Sequence, residues 1–230
     1  MPAVGLQILA VTLAAMGWIF SIFTCFLPMW RVSAFTGGNF VTTDVTWEGI
    51  WMTCILRSTD VLHCEMHDTI LGLDAELQAA RALAIISIVM GTLGLLVATL
   101  GAKYTVCIEE ERAKARVMMA AGLAFILAAL SLMIPVSQTA HLIIAQFKDP
   151  TVPQGQKRDL GEALYLGWSA AAFLLMGGCI LCSSCPQKAG RRHKPSSKAA
   201  HSQAQSFHYC LLTSLCTSMI CICRVSTPFK

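Results

Sequence analysis

The chain has 230 residues, of which 55% are hydrophobic and 13% are charged, and its formal net charge is +4. Soluble domains carry about 25% charged residues, so this composition excludes an ordinary soluble domain. The net positive charge is explained by the membrane topology described below, and we expect no nucleic-acid partner.

Four segments are long and apolar enough to cross a bilayer. Each is close to the roughly 20 residues that the hydrocarbon core requires, and none contains Asp, Glu, Lys or Arg; they are 4–27, 82–100, 117–136 and 163–182. Because the backbone must satisfy its own hydrogen bonds in lipid, such spans are helices. We interpret the first as a span and not as a signal peptide, because no Lys or Arg precedes it.

The distribution of Lys and Arg predicts the topology. Four spans place both termini on the same side as the 101–116 loop, and that side carries eleven basic residues against six on the other. The positive-inside rule therefore places both termini in the cytoplasm. Segments 28–81 and 137–162 are then extracellular.

The first extracellular segment predicts a small antiparallel sheet. Alternating residues at 30–35 and 40–47, with Gly37, Gly38 and Asn39 as a turn, indicate two strands, and 48–56 and 61–67 are two further candidate strands. From residue 68 the apolar residues follow a helical period that leads into the second span. The predicted fold is a mainly α membrane protein: a four-helix transmembrane bundle with a small extracellular antiparallel β-sheet.

The second extracellular segment is shorter. Residues 141–147 continue the third helix beyond the bilayer, and Asp149-Pro150 ends it, because the residue before a proline disfavours helical geometry. Residues 151–156 indicate an extended turn.

Two of the eleven cysteines, Cys54 and Cys64, lie in the extracellular segments. Thiols oxidise in that compartment and no third extracellular cysteine competes, so the sequence predicts a Cys54–Cys64 disulfide. At the cytoplasmic end of the last span, Cys182 and Cys185 have the C-x-x-C spacing of zinc or redox sites. We favour S-palmitoylation at this position, with inert thiols as the alternative.

No residue pattern predicts catalysis. His63 and His67 flank Cys64 beside several carboxylates, but surface residues of a polar loop explain this cluster better than a metal site does. We expect no cofactor, no metal and no enzymatic activity. The spans also lack the intramembrane charges typical of transporters and pumps, so we expect function in the extracellular segments, as an adhesion or recognition surface.

One pattern in the first extracellular segment resembles a known family. Its residues follow the claudin signature W…G-L-W-x-x-C…C, with isoleucine for leucine: Trp30, Gly49, Ile50, Trp51, Cys54 and Cys64. The resemblance extends over about residues 1–186, which we interpret as one four-span domain, and it includes Leu77-Gln78-Ala79-Ala80-Arg81-Ala82-Leu83 and Leu164-Tyr165-Leu166-Gly167-Trp168. We expect the cytoplasmic tail, 187–230, to be disordered or to lie on the membrane surface.

The resemblance implies a function at the plasma membrane. Claudins polymerise into tight-junction strands, associate with themselves and other claudins in cis and in trans, and close or line paracellular pores in contact with membrane lipid. The alternative is an auxiliary subunit of a membrane channel, or a four-span protein similar to myelin or epithelial membrane proteins.

The resemblance also implies site residues. In pore-forming claudins the residue after the second cysteine faces the paracellular pore, so the resemblance assigns selectivity to Glu65, with Asp68 weaker. The segment carries seven carboxylates against three arginines, and carboxylates along a narrow aqueous path favour cations. The alternative is a pure barrier in which Glu65 is only solvated.

Trans adhesion is expected at the second extracellular segment, at Phe147, Asp149 and Pro150. Family members commonly end in Tyr-Val, which binds PDZ scaffolds by strand addition, whereas this sequence ends with Pro228-Phe229-Lys230. We therefore expect little binding to PDZ scaffolds.

Overall fold

The computed structural model describes residues 2–34, 45–56, 61–67, 75–101, 111–149 and 158–183. These ranges contain four helices and five strands. In chain order the elements are α1 (Pro2–Phe26), β1 (Arg31–Ala34), β2 (Val45–Glu48), β3 (Met52–Leu56), β4 (Leu62–Met66), α2 (Ala75–Gly101), α3 (Glu111–Lys148), β5 (Asp159–Leu160) and α4 (Glu162–Ser183).

Each of the four predicted spans corresponds to one helix. All four helices are long and apolar enough to cross a membrane, by length and composition. The longest, α3, has 38 residues and continues through Pro135; at 1.5 Å per residue it is about 57 Å long, well over the thickness of the hydrocarbon core. It ends at Lys148, directly before Asp149, as the sequence predicts.

Small residues allow the helices to approach closely. The helix α4 packs against both α1 and α3, and α2 packs against α3. Where α3 meets α4, a Cβ atom added to Gly122 would lie 2.9 Å from the carbonyl oxygen of Gly178, and one added to Gly178 would lie 2.8 Å from that of Gly122. Such contacts leave no room for side chains, which is typical of packing between transmembrane helices.

The sheet lies at one end of the bundle and contains one strand more than the sequence predicts. Its order is β4-β3-β2-β1-β5, and every neighbouring pair is antiparallel. The additional strand, β5, pairs with β1 through Arg31↔Leu160 and Val32↔Asp159. A strand of two residues has no detectable alternation, so only its pairing with β1 defines it.

The predicted strand 48–56 is also wrong in its bounds. Glu48 ends β2, and residues 49–51 connect β2 to β3. The Gly49 N–H donates to the Met52 carbonyl oxygen at 2.9 Å, which closes this connection. The run of nine residues thus combines the last residue of one strand, a connection and the next strand.

Several predictions concern residues that the structure does not describe. These are the turn at Gly37–Asn39, the helix start from residue 68, the extended turn at 151–156 and the tail from residue 187.

Candidate functional site: a charged face on an anchored sheet

The first signature residue, Trp30, joins the end of α1 to the sheet. Its side chain is buried, and its indole Nε1–H donates to the carbonyl oxygen of Thr24 at 2.8 Å. Its backbone N–H donates to the Glu48 carbonyl at 3.0 Å, and its carbonyl accepts from the Gly161 N–H at 3.1 Å. One residue therefore connects α1, the end of β2 and the start of α4.

The signature glycine is required by a close backbone contact. A Cβ atom added to Gly49 would lie 2.5 Å from the Cα of Pro28 and 3.2 Å from the carbonyl oxygen of Leu27. Both contacts are with main chain, which cannot rotate away. The next residue, Ile50, is 3% exposed and packs in the core cluster that contains Trp30, so an aliphatic side chain other than leucine fills this position.

The second tryptophan is held by α1 and α2. The Trp51 Nε1–H points to the Sγ of Cys25 at 3.4 Å, and the guanidinium carbon of Arg81 lies 4.8 Å from the centre of the Trp51 ring. Arg81 is 9% exposed, and its Nε–H donates to the Ile50 carbonyl oxygen at 2.6 Å. The signature thus anchors the connection 49–51 to the helices.

The role of Arg81 is not evident from the sequence alone. By sequence it is one of the six basic residues on the extracellular side, whereas the structure places it inside α2 as a buried hydrogen-bond donor. The signal that could have indicated this role is its position within the claudin-like run 77–83, one residue before the predicted span.

A disulfide joins the two outer strands. Cys54 of β3 and Cys64 of β4 are direct partners in the register, with their Cα atoms 4.0 Å apart and their sulfurs bonded. This is the predicted bridge. Because β4 is an edge strand, the bridge fixes the strand that carries Glu65.

Polar residues collect on one face of the sheet. The register aligns Arg31 with Glu48, Glu48 with Thr53, and Thr53 with Glu65, across four strands. Directly paired residues share a face, and so do residues two apart on one strand, which adds His63. We call these five residues the charged face.

Glu65 is the most accessible carboxylate of this face. Its side chain is 77% exposed, and its Oε1 lies 3.3 Å from the Nε2 of His63, which is 64% exposed. The uncharged Thr53 lies opposite Glu65 on β3, and Ile55 lies opposite His63. Glu65 thus presents its carboxylate to solvent at the edge of the sheet.

Glu48 is in a different environment on the same face. The Nη1 of Arg158 lies 2.7 Å from its Oε2, and the two side chains are 32% and 28% exposed, respectively. They line a cleft of about 240 Å³ between the charged face and the adjacent ends of α2 and α3. Its other polar lining residues are Arg31, Thr53, His67, Glu76 and Thr139. The sequence did not predict this ion pair.

The other predicted site residues are only partly described. Phe147 is 51% exposed near the end of α3, and Asp149, directly after the helix, is exposed. Cys182 is partly exposed on α4, where a Cβ added to Gly122 would lie 2.7 Å from its sulfur. Asp68, Pro150 and Cys185 lie outside the described residues. In the described part of the chain, no group of three or more His, Cys, Asp or Glu could hold a metal ion.

Comparison with known proteins places the chain in a family. The PMP-22/EMP/MP20/Claudin family model matches residues 4–181. The chain is 47% identical to Claudin-4 of Homo sapiens over 206 residues, which cover 90% of this chain and 99% of the relative. It is 46% identical to Claudin-4 of Canis lupus familiaris over 209 residues, 91% of this chain and 100% of the relative. It is 50% identical to Claudin-3 of Mus musculus over 186 residues, 81% and 85% of the two chains. The chain therefore belongs to the PMP-22/EMP/MP20/Claudin family and, within it, to the claudins.

Proposed function

We propose that this claudin forms tight-junction strands along which the paracellular ion path prefers cations, with Glu65 as the main determinant. As a claudin, the protein is a structural component of tight junctions in the plasma membrane and associates with claudins. The preference for cations over anions is the proposed part of this function.

The proposal requires the sheet to lie outside the cell. The 101–116 loop and the tail that follows α4 carry eleven basic residues, and the side of the bundle with the sheet carries six. This asymmetry supports cytoplasmic termini. The sheet then lies on the extracellular side, with the exposed carboxylate of Glu65 open to solvent at its edge.

The exposed carboxylate of Glu65 carries the proposal. In water, two unit charges 4 Å apart interact with about 1 kcal/mol, attractive for a cation and repulsive for an anion. Salt limits the reach of this effect to a Debye length of about 8 Å, so only ions passing close to the carboxylate are selected. We therefore expect a several-fold preference for cations over anions. Asp68 is proposed as a weaker contributor.

Adhesion and anchoring are assigned to other residues. We assign contacts with the opposing cell to Phe147, Asp149 and Pro150; the half-exposed aromatic ring of Phe147, past the thickness of the bilayer on the long helix α3, supports this. We assign acylation to Cys182 and Cys185, which would add a lipid anchor at the opposite end of the bundle. Little binding to PDZ scaffolds is expected.

Expression of the wild-type protein in two kinds of cell tests the proposal. In cells without junction strands, it should concentrate at cell contacts and form fibrils. In a tight epithelium, it should raise the permeability to sodium more than that to chloride, measured by dilution potentials. Diffuse surface staining that follows a channel would instead favour an auxiliary subunit. Fibrils with unchanged sodium and chloride permeability would favour a barrier.

A further inference from the structure

We propose that Arg158 is a specificity-determining residue for ion selectivity, because its ion pair with Glu48 offsets a second carboxylate that shares a face with Glu65. This inference rests on the proposed cation preference and extends it. Under this inference, Arg158 of the second extracellular segment contributes to the ion selectivity set by Glu65 of the first extracellular segment.

The ion pair between the two segments is close and well formed. The 2.7 Å distance between Arg158 Nη1 and Glu48 Oε2 is that of a charge-assisted hydrogen bond. Arg158 directly precedes β5, which pairs with β1 on the side away from β2, so its side chain reaches Glu48 across β1. With roughly two-thirds of each side chain buried, the two charges are held together and not merely near each other in solvent.

The position of Glu48 gives this pairing a consequence for ions. Glu48 and Glu65 share a face and are separated by one strand, with Thr53 between them. Neighbouring strands lie about 4.8 Å apart, so their backbones are about 10 Å apart, close to the Debye length at physiological salt. An unneutralised Glu48 would therefore act on the same ions as Glu65, in the same direction.

Among the described residues, two carboxylates of this face differ in exposure and in their charged partners. Glu48 is partly buried and paired with a guanidinium, whereas Glu65 is exposed and lies beside the imidazole of His63. Loss of the positive charge at position 158 removes the guanidinium that lies 2.7 Å from Glu48, which makes the charge beside Glu65 more negative, with Arg31 opposite Glu48 unchanged. Loss of the negative charge at position 48 leaves Arg158 as a cation that opposes Glu65.

A double-mutant cycle tests this inference in a tight epithelium. Arg158→Gln should raise the ratio of sodium to chloride permeability about fourfold, and Glu48→Gln should lower it about fourfold, as expected for one charge within about 5 Å of a passing ion, which attracts the cation and repels the anion. The double variant should return close to the wild-type ratio. Arg158→Lys, which keeps the charge, should remain close to the wild type.

Lys148→Gln is the matched control. It removes one positive charge from the same extracellular segment, at the exposed end of α3, without exposing Glu48. If Arg158→Gln shifts the ratio no more than Lys148→Gln does, while Glu65→Lys shifts it strongly, the inference is wrong and the proposed function stands. If Glu65→Lys has no effect either, the proposed function fails and the inference falls with it.

Strand assembly separates selectivity from a structural role. Every variant is scored for fibrils at cell contacts before its permeability is measured. If Arg158→Gln and the double variant both fail to form fibrils while Arg158→Lys forms them, the ion pair is purely structural. That result would contradict the inference.

Discussion

Arg81 in α2 donates a hydrogen bond of 2.6 Å to the backbone carbonyl of Ile50, in the connection between β2 and β3. The same guanidinium lies over the ring of Trp51. The sheet is therefore not merely tethered by its chain connections; a buried cation of the bundle holds the segment from which β3 begins. This contact orients the strands that carry the charged face.

Replacing Arg81 should loosen this attachment. A hydrogen bond to a charged donor contributes about 1.5–3 kcal/mol, and a cation–π contact about 0.5–2 kcal/mol. Arg81→Ala should therefore lower the free energy of unfolding by about 2–4 kcal/mol. Thermal unfolding of the detergent-solubilised protein measures this change. Arg81→Lys should be intermediate, and Lys148→Ala, at an exposed position, should behave like the wild type.

Gly49→Ala should prevent normal packing of the sheet. The added methyl group would meet the main chain of Pro28 at 2.5 Å, so the connection 49–51 or the end of α1 must shift. We expect poor surface expression and a marked drop in melting temperature. Gly5→Ala is the matched control, because no atom lies within 4 Å of a Cβ added there. Equal behaviour of the two variants would show that the contact at Gly49 is not restrictive.

Removing the disulfide should destabilise the edge strand. The bond closes a loop with a sequence separation of 10 residues, and the loss of loop-closure entropy in the unfolded chain corresponds to about 3 kcal/mol. The Cys54→Ser/Cys64→Ser variant should melt at a lower temperature and be cleaved faster by protease within the first extracellular segment. Mass mapping of the wild type under non-reducing conditions should recover a Cys54–Cys64 peptide. Two alkylatable thiols in surface protein would refute the pairing.

A permanent positive charge at position 63 should weaken cation preference. The Nε2 of His63 lies 3.3 Å from the Glu65 carboxylate, so His63→Lys places an ammonium group within reach of it. We expect the ratio of sodium to chloride permeability to fall, with His63→Gln as the uncharged comparison at neutral pH. No difference between the two variants would mean that ions do not pass near this pair.

Sequence reasoning succeeded where one local property decides the structure. Uncharged apolar runs define the four spans, and the cysteine count of the extracellular segments defines the bridge. It was wrong at 48–56, because a connection that places Ile50 in the core has no polar turn sequence. It could not predict the Arg158–Glu48 pair, because the residues are 110 positions apart and meet only through β5, which has two residues. It likewise did not predict that Arg81 is buried, although Arg81 lies within the claudin-like run 77–83.

The charge at Glu65 is the most direct test of the function that we propose. Dilution potentials should be compared across epithelia expressing the wild type, Glu65→Lys and Asp159→Lys. Asp159 is exposed on β5 at the opposite edge of the sheet. It pairs with Val32, the residue after Arg31 on β1, so the Asp159 side chain points away from the charged face. With comparable fibrils in all three, we predict that Glu65→Lys lowers the ratio of sodium to chloride permeability several-fold and Asp159→Lys leaves it close to the wild-type value. An unchanged ratio in Glu65→Lys would contradict the account.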